Sequence, residues 1–356
     1  MTRLSPVRFL ALLFAALPCH AADIERFEPM DVFDLEYASD PQIAPGGERI
    51  VYVRNFMDIM HDRRRSNLWV VDVDGSGHRP LTTGQHSHNS PRWSPDGERL
   101  LFVSDAGDTP QVFVRWMDTG QTAKLTALNE APSGMSWSPD GAWIAFAMRV
   151  PKETESLVKG PSKPDGAEWA KPPKVIDDLV YRVDGEGYLE DGFQHIFVLP
   201  AEGGTPRQLT SGEKDHNGDI VWSPDGKTLY VSANRHDDWQ YEPLDSEIYA
   251  IDVRSGDIEA LTERFGPDLN PVVSPDGERI AFLGFDDRRQ GYQVTRLYVM
   301  GRDGSDPQLV APDLDRDVVD PRWDARGRGL YFQYDDEGTT KIGYVTLNGD
   351  VDTLVD

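Results

Sequence analysis

Trp93-Ser94-Pro95-Asp96-Gly97 decides the reading of this chain, because the chain uses it repeatedly. The pentapeptide recurs intact at 137–141 and 222–226, and in diverged form at 43–47, 273–277 and 323–327. The closing glycine is kept each time, as Gly47, Gly97, Gly141, Gly226, Gly277 and Gly327. Proline pre-sets φ at the first corner of a tight turn, aspartate bonds back to nearby amides, and glycine takes the left-handed position that closes a hairpin. Trp93, Trp137, Trp222 and Trp323 read as wedges packed between repeats, the alternative being platforms for stacking sugars.

Outward from each pentapeptide the pattern repeats. An X-Pro step (Asp40-Pro41, Ser90-Pro91, Asn270-Pro271, Asp320-Pro321) opens several units, and proline there predicts an extended preceding residue. A short strand ends at the tryptophan or its aliphatic stand-in. After the turn come a β-rich second strand such as Leu100-Leu101-Phe102-Val103 and a third such as Val112-Phe113-Val114. A short fourth strand with a Leu-Thr or Leu-Val ending is predicted, the endings being Leu81-Thr82, Leu125-Thr126, Leu209-Thr210, Leu261-Thr262 and Leu309-Val310. Four strands every roughly 45–50 residues predict an all-β propeller, six blades being recognisable. A sandwich would not repeat so regularly, and a solenoid repeat is usually shorter.

Residues 1–21 read as a signal peptide. Arg3 and Arg8 give a basic start, residues 9–17 are an apolar run too short to span a bilayer, and Cys19-His20-Ala21 ends on a small residue. Cleavage is expected after Ala21 or Ala22. The alternative, a lipid anchor at Cys19, is opposed by Leu17-Pro18 before it. The single cysteine leaves with the leader, so the mature chain has neither disulfide nor thiol chemistry. Export without disulfides points to a bacterial periplasmic or secreted protein. Residues 22–37 are a lead-in with a helical turn or two after Pro29, and 38–356 the propeller. The interval from Trp137 to Trp222 is too long for one blade, which places an insertion at 151–194 in blade three, the kind of element that carries function or docking. Val351 to Val355 is a candidate fourth strand of blade six.

The formal charge of −25 repels phosphate backbones and anionic lipid heads, so neither nucleic acid nor a membrane surface is an expected partner. No Gly-x-Ser-x-Gly, His-Glu-x-x-His or Walker loop occurs. His86, His88 and His216 sit shortly before Trp93 and Trp222, where a repeated loop bond explains them more simply than a metal. Asp72-Val73-Asp74-Gly75 is read as a turn, not a calcium loop. No catalytic residue, cofactor or metal is expected.

The repeated hairpins resemble TolB-like (PD40) propeller repeats. Residues 34–47 (Asp-Leu-Glu-Tyr-Ala-Ser-Asp-Pro-Gln-Ile-Ala-Pro-Gly-Gly) and 181–188 (Tyr-Arg-Val-Asp-Gly-Glu-Gly-Tyr) are similar to segments of exported prolyl oligopeptidase family (S9) serine peptidases of the dipeptidyl aminopeptidase or acylaminoacyl peptidase type. That resemblance implies a propeller covering the active site of an α/β-hydrolase domain and limiting access to peptides. The hydrolase half is missing from this sequence, and seven blades are expected where six are found, so the ring is expected to be incomplete and the chain inactive alone. Arg182, Glu186 and Tyr188 in the insertion are candidates for contact with substrate or the hydrolase domain. The alternative is a complete TolB-like periplasmic protein-binding scaffold.

Overall fold

The computed structural model describes residues 26–152, 161–170, 174–185 and 187–355; the leader at 1–21 lies outside the described residues. Six four-stranded antiparallel sheets follow one another along the chain, at 36–80, 88–124, 132–208, 221–260, 268–309 and 319–355, and are blades one to six. Each is built from strands consecutive within the blade, with a separate two-stranded hairpin inside blade three. The one helical element among the described residues is a 3₁₀ turn, Pro29–Asp34.

Both faces of most blades are buried, so the second strands are apolar runs instead of alternating ones. In blade two, Leu100 and Phe102 pack with Val51, Val53, Leu68 and Val70 of blade one. Leu101 and Val103 point the other way, toward Met135, Trp137, Ile144 and Phe146 of blade three. Similar clusters join blades three and four, four and five, and five and six. Among the described residues no such cluster joins blade six to blade one.

The repeated pentapeptide holds neighbours together. Ser94 Oγ donates to Asp96 Oδ1 (2.5 Å) and accepts from Arg99 N (2.9 Å), while Asp96 Oδ1 accepts from Glu98 N (3.0 Å). Ser138, Ser223 and Ser274 repeat the pattern. Each tryptophan then donates its indole N–H to a carbonyl of the preceding blade: Trp93 to Gln42 (3.0 Å), Trp137 to Arg92 (3.1 Å), Trp222 to Ser136 (3.3 Å) and Trp323 to Val272 (3.0 Å). The glycines approach the prolines of the preceding turns. A Cβ on Gly97 would lie 3.5 Å from Pro45, and one on Gly277 would lie 3.3 Å from Pro224; at Gly47 there is open space. Gly277→Ala meets both that proline and a φ of +76°, so it is expected to cost about 1–2 kcal/mol in urea unfolding. A loss below about 0.3 kcal/mol would show that the turn relaxes freely.

Two expectations are corrected. The residues before the opening prolines are not extended: Asp40, Ser90, Asn270 and Asp320 have φ of 46°, 54°, 49° and 49°. Each lies at a register shift in the first strand of its blade, a β-bulge. Short polar residues tolerate the left-handed region best, and blade three uses Gly134 there. The Leu-Thr pairs also do not end the fourth strands, which stop just before them, for example at Arg79–Pro80 and Thr122–Lys124. The threonine is a clasp: Oγ1 of Thr82, Thr126, Thr210 and Thr262 accepts from the third-strand N–H of Leu68, Val112, Ile196 and Ile248 (2.9–3.0 Å).

Candidate functional site: the insertion-bearing rim

With four antiparallel strands per blade, the pentapeptide turns occupy one rim of the ring. The links between strands two and three and between successive blades occupy the other. The first strands line an axial cavity of about 580 Å³, with Arg92, Gly134, Asp219, Asn270 and Asp320 among its walls. The bulges put polar groups here: Arg92 bonds both oxygens of Asp40 (2.9 and 3.0 Å), and Asn270 Nδ2 donates to Asp219 (2.9 Å).

The insertion leaves the second rim. It lies between the paired strands Trp143–Pro151 and Gly192–Pro200, whose ladder runs from Trp143↔Pro200 to Pro151↔Gly192. Arg149 anchors its base through Glu130 (2.8 Å), Glu190 and the Asp191 carbonyl. Lys152 pairs with Glu213 (2.8 Å), which an ion pair this exposed makes a weak fastening. Farther out, Gln240 of blade four grips the insertion twice: its Oε1 accepts from Leu179 N (2.8 Å) and its Nε2 donates to Asp178 Oδ1 (2.7 Å). Arg182 and Tyr188 are cross-strand partners in the small hairpin of 182–188 and both are exposed. The Tyr188 ring stacks on Tyr181 at 6.1 Å and carries Lys174 Nζ 5.4 Å from its centroid. Glu186 lies outside the described residues. Leu179, Tyr181, Tyr188 (59% exposed) and, beside Gln240, Tyr241 (76%) are large apolar or aromatic groups left exposed on this rim.

The histidines before the tryptophans have separate environments. His216 is fully buried; its Nε2 accepts from Arg235 (2.5 Å) and its Nδ1 lies 3.2 Å from the Gln194 carbonyl. A guanidinium can only donate, so the imidazole is neutral with its proton on Nδ1. Burial, then the Arg235 charge, hold its pKa down at about 4. Both nitrogens are thus engaged, leaving no lone pair for an ion. His86 is exposed beside Asp105 (3.4 Å), and His88 packs on Phe102.

A cluster absent from the sequence reading lies on the same rim. Ligand atoms of His236, Asp245 and Glu247 fall within 4.8 Å of one another. Glu247 begins the third strand of blade four, where it is the Thr clasp's partner; Gln111 and His195 hold the same place in blades two and three. Burial, with Asp268 and Asp245 nearby, pushes Glu247 up to about 8. Aligning the repeats shows a carboxylate here where a neutral Gln111 stands in blade two, the one signal that could have found the cluster.

Six such sheets set around an axial cavity define a β-propeller, and the comparisons with known proteins point to the same architecture. Residues 31–162 match the TolB beta propeller domain (PD40), and residues 185–282 match the dipeptidyl peptidase IV N-terminal region. The uncharacterized peptidase YuxL of Bacillus subtilis is 35% identical over 208 residues, 57% of this chain and 30% of the relative. Dipeptidyl-peptidase 5 of Porphyromonas gingivalis is 27% identical over 340 residues, 91% of this chain and 48% of the relative. The uncomplexed acylaminoacyl peptidase of Pyrococcus horikoshii superposes with a TM-score of 0.69 at 20% identity, covering 91% of this chain and 47% of that one. The chain thus carries a stretch that matches the PD40 propeller model followed by one that matches the dipeptidyl peptidase IV N-terminal region, and the two curated relatives, YuxL and dipeptidyl-peptidase 5, are peptidases. It spans less than half the length of those three relatives.

Proposed function

We propose that this chain is the substrate-gating propeller of an exported serine peptidase acting on peptides, and that an α/β-hydrolase domain carries the chemistry. The observation that carries this reading is the alignment with dipeptidyl-peptidase 5, which uses 91% of this chain and 48% of the relative. The exposed Tyr181–Tyr188 stack of the insertion fits a docking face for that domain, because clustered exposed apolar groups on a protein surface often mark a partner's site. An axial cavity of about 580 Å³ is of small-ligand size, which suits admission of short peptides and exclusion of folded chains. Arg182 and Tyr188 then stand on the rim that meets substrate or hydrolase. Export rests on the basic start and apolar run of the first residues.

The test is to read the coding frame beyond Asp356 and express whatever protein it encodes. The expected result is a Gly-x-Ser-x-Gly within a few hundred codons. The longer protein should cleave short peptide p-nitroanilides while the 356-residue chain does not. Arg182→Ala and Tyr188→Ala in the longer protein should change kcat/KM at least about threefold through the lost rim contacts. A stop codon directly after Asp356 would sink the proposal and leave the binding scaffold of TolB type.

A further inference from the structure

We propose that His236, Asp245 and Glu247 bind a divalent transition-metal ion of the Zn²⁺ class through Nε2, Oδ2 and Oε1. The argument starts from what each side chain has left over. Asp245 Oδ1 accepts from Gly266 N (3.0 Å), and Glu247 Oε2 takes the Thr262 hydroxyl. The remaining oxygens both turn to His236 Nε2, Oδ2 at 3.6 Å and Oε1 at 3.7 Å. Those distances are too long for hydrogen bonds. Nε2 is buried and has no hydrogen-bond partner. Two ligands at about 2.0–2.2 Å from one tetrahedral ion lie roughly 3.4 Å apart, close to the spacing found. Outer hydrogen bonds that fix each ligand are what metal sites need, and two of the three have them.

Charge gives independent support. The Glu247 side chain is 3% exposed, and neighbouring Asp268, 1% exposed, leaves Oδ2 without a partner. Arg264 pairs with Asp268 and stacks over Tyr298 (4.3 Å), and among the described residues it is the one cation bonded within this carboxylate group. Three carboxyl groups share one guanidinium in a low-dielectric pocket, where a bound cation would offset the cost of ionising them. The comparison within the molecule points the same way. In blade two the corresponding Gln111 is fully satisfied, by Thr126, Leu128 and Thr109. Blade four alone combines a carboxylate there with a histidine and a second carboxylate aimed at it. Imidazole with two carboxylates suits Zn²⁺ or Mn²⁺ over Ca²⁺, which prefers all-oxygen sets.

The ion would fasten the link 234–246 of blade four, which carries Gln240, the residue that grips the insertion. The experiment strips the purified chain with EDTA and titrates ZnCl₂ by calorimetry, with CoCl₂ absorption as a report on coordination. One equivalent is expected to bind, with Tm rising about 4 °C at a hundredfold excess over Kd. His236→Gln and Asp245→Asn should each weaken binding at least about tenfold and bleach the Co²⁺ d–d bands. Glu247→Gln, which copies blade two, should do the same while keeping the fold's far-ultraviolet circular dichroism. His86→Gln should change nothing. Absence of saturable binding, or variants that bind within twofold of the parent, would overturn the assignment.

Discussion

Trp137→Ala is expected to destabilise the propeller by about 3–5 kcal/mol, the range for removing a large aromatic from a packed interior. Trp137 is 8% exposed and sits in the cluster joining blades two and three, among Leu101, Val103 and Phe146. Its removal opens a cavity that two rigid sheets cannot easily close. It also leaves the Arg92 carbonyl without its indole donor and the Arg99 guanidinium without the ring it covers at 4.8 Å. Trp137→Phe separates the contributions: most of the volume stays, the hydrogen bond goes, and the loss should be about 1 kcal/mol. Urea unfolding monitored by circular dichroism measures both. A parallel fall in midpoint at constant slope is the expected form. If Trp137→Ala costs less than 1 kcal/mol, the wedge reading is wrong and the ring should be sought as a ligand platform.

The second large effect is a pH dependence. His216 has its pKa held at about 4 in the folded protein, against about 6.5 in an unfolded chain. Between those values the unfolded state binds the extra proton, so stability falls as pH drops through 6.5 and the loss is complete near 4. The His216 contribution to that loss is about 3 kcal/mol. The groups facing it are His195, Arg235 and the Gln194 backbone, and Arg235 is held in turn over Tyr249. Glu247, pushed up to about 8, titrates with the opposite sign over part of the window: its contribution weakens as pH rises from about 4.5 through 8. Comparison with His216→Gln removes that background. The parent should lose about 3 kcal/mol relative to the variant between pH 7 and pH 4, read from urea midpoints at each pH. A difference that stays flat across this range would refute the neutral, buried histidine.

The hairpins, the second and third strands and the blade count were legible because each depends on neighbours in sequence: Ser94 reaches only to Asp96 and Arg99. The bulges were misread because the preference of a residue before proline is local, whereas the φ of Asp40 or Asn270 is set by the sheet and by partners such as Arg92 and Asp219. The Leu-Thr endings were visible as a motif, but their role needs the third-strand amide fourteen residues earlier. The rim was least legible. Gln240 meets Leu179 across 61 residues, and the His236 cluster draws its outer bonds from the next inter-blade link, at Thr262 and Gly266. No spacing rule connects such positions.

The indole-to-carbonyl bonds between blades all run in one direction, from each blade to its predecessor. They are head-to-tail contacts, and an array of such contacts has two unlike ends. Blade one begins the series with Ile43 in the tryptophan's place and so has no indole to offer backward. Blade six presents the carbonyl of Arg322, the position its neighbours use as acceptor. The assembly is therefore polar in the sense that a filament is polar. A unit added after blade six could donate an indole to that carbonyl if it carried a tryptophan before its turn, whereas blade one, like blade five with Val273, has no indole to give to a preceding unit.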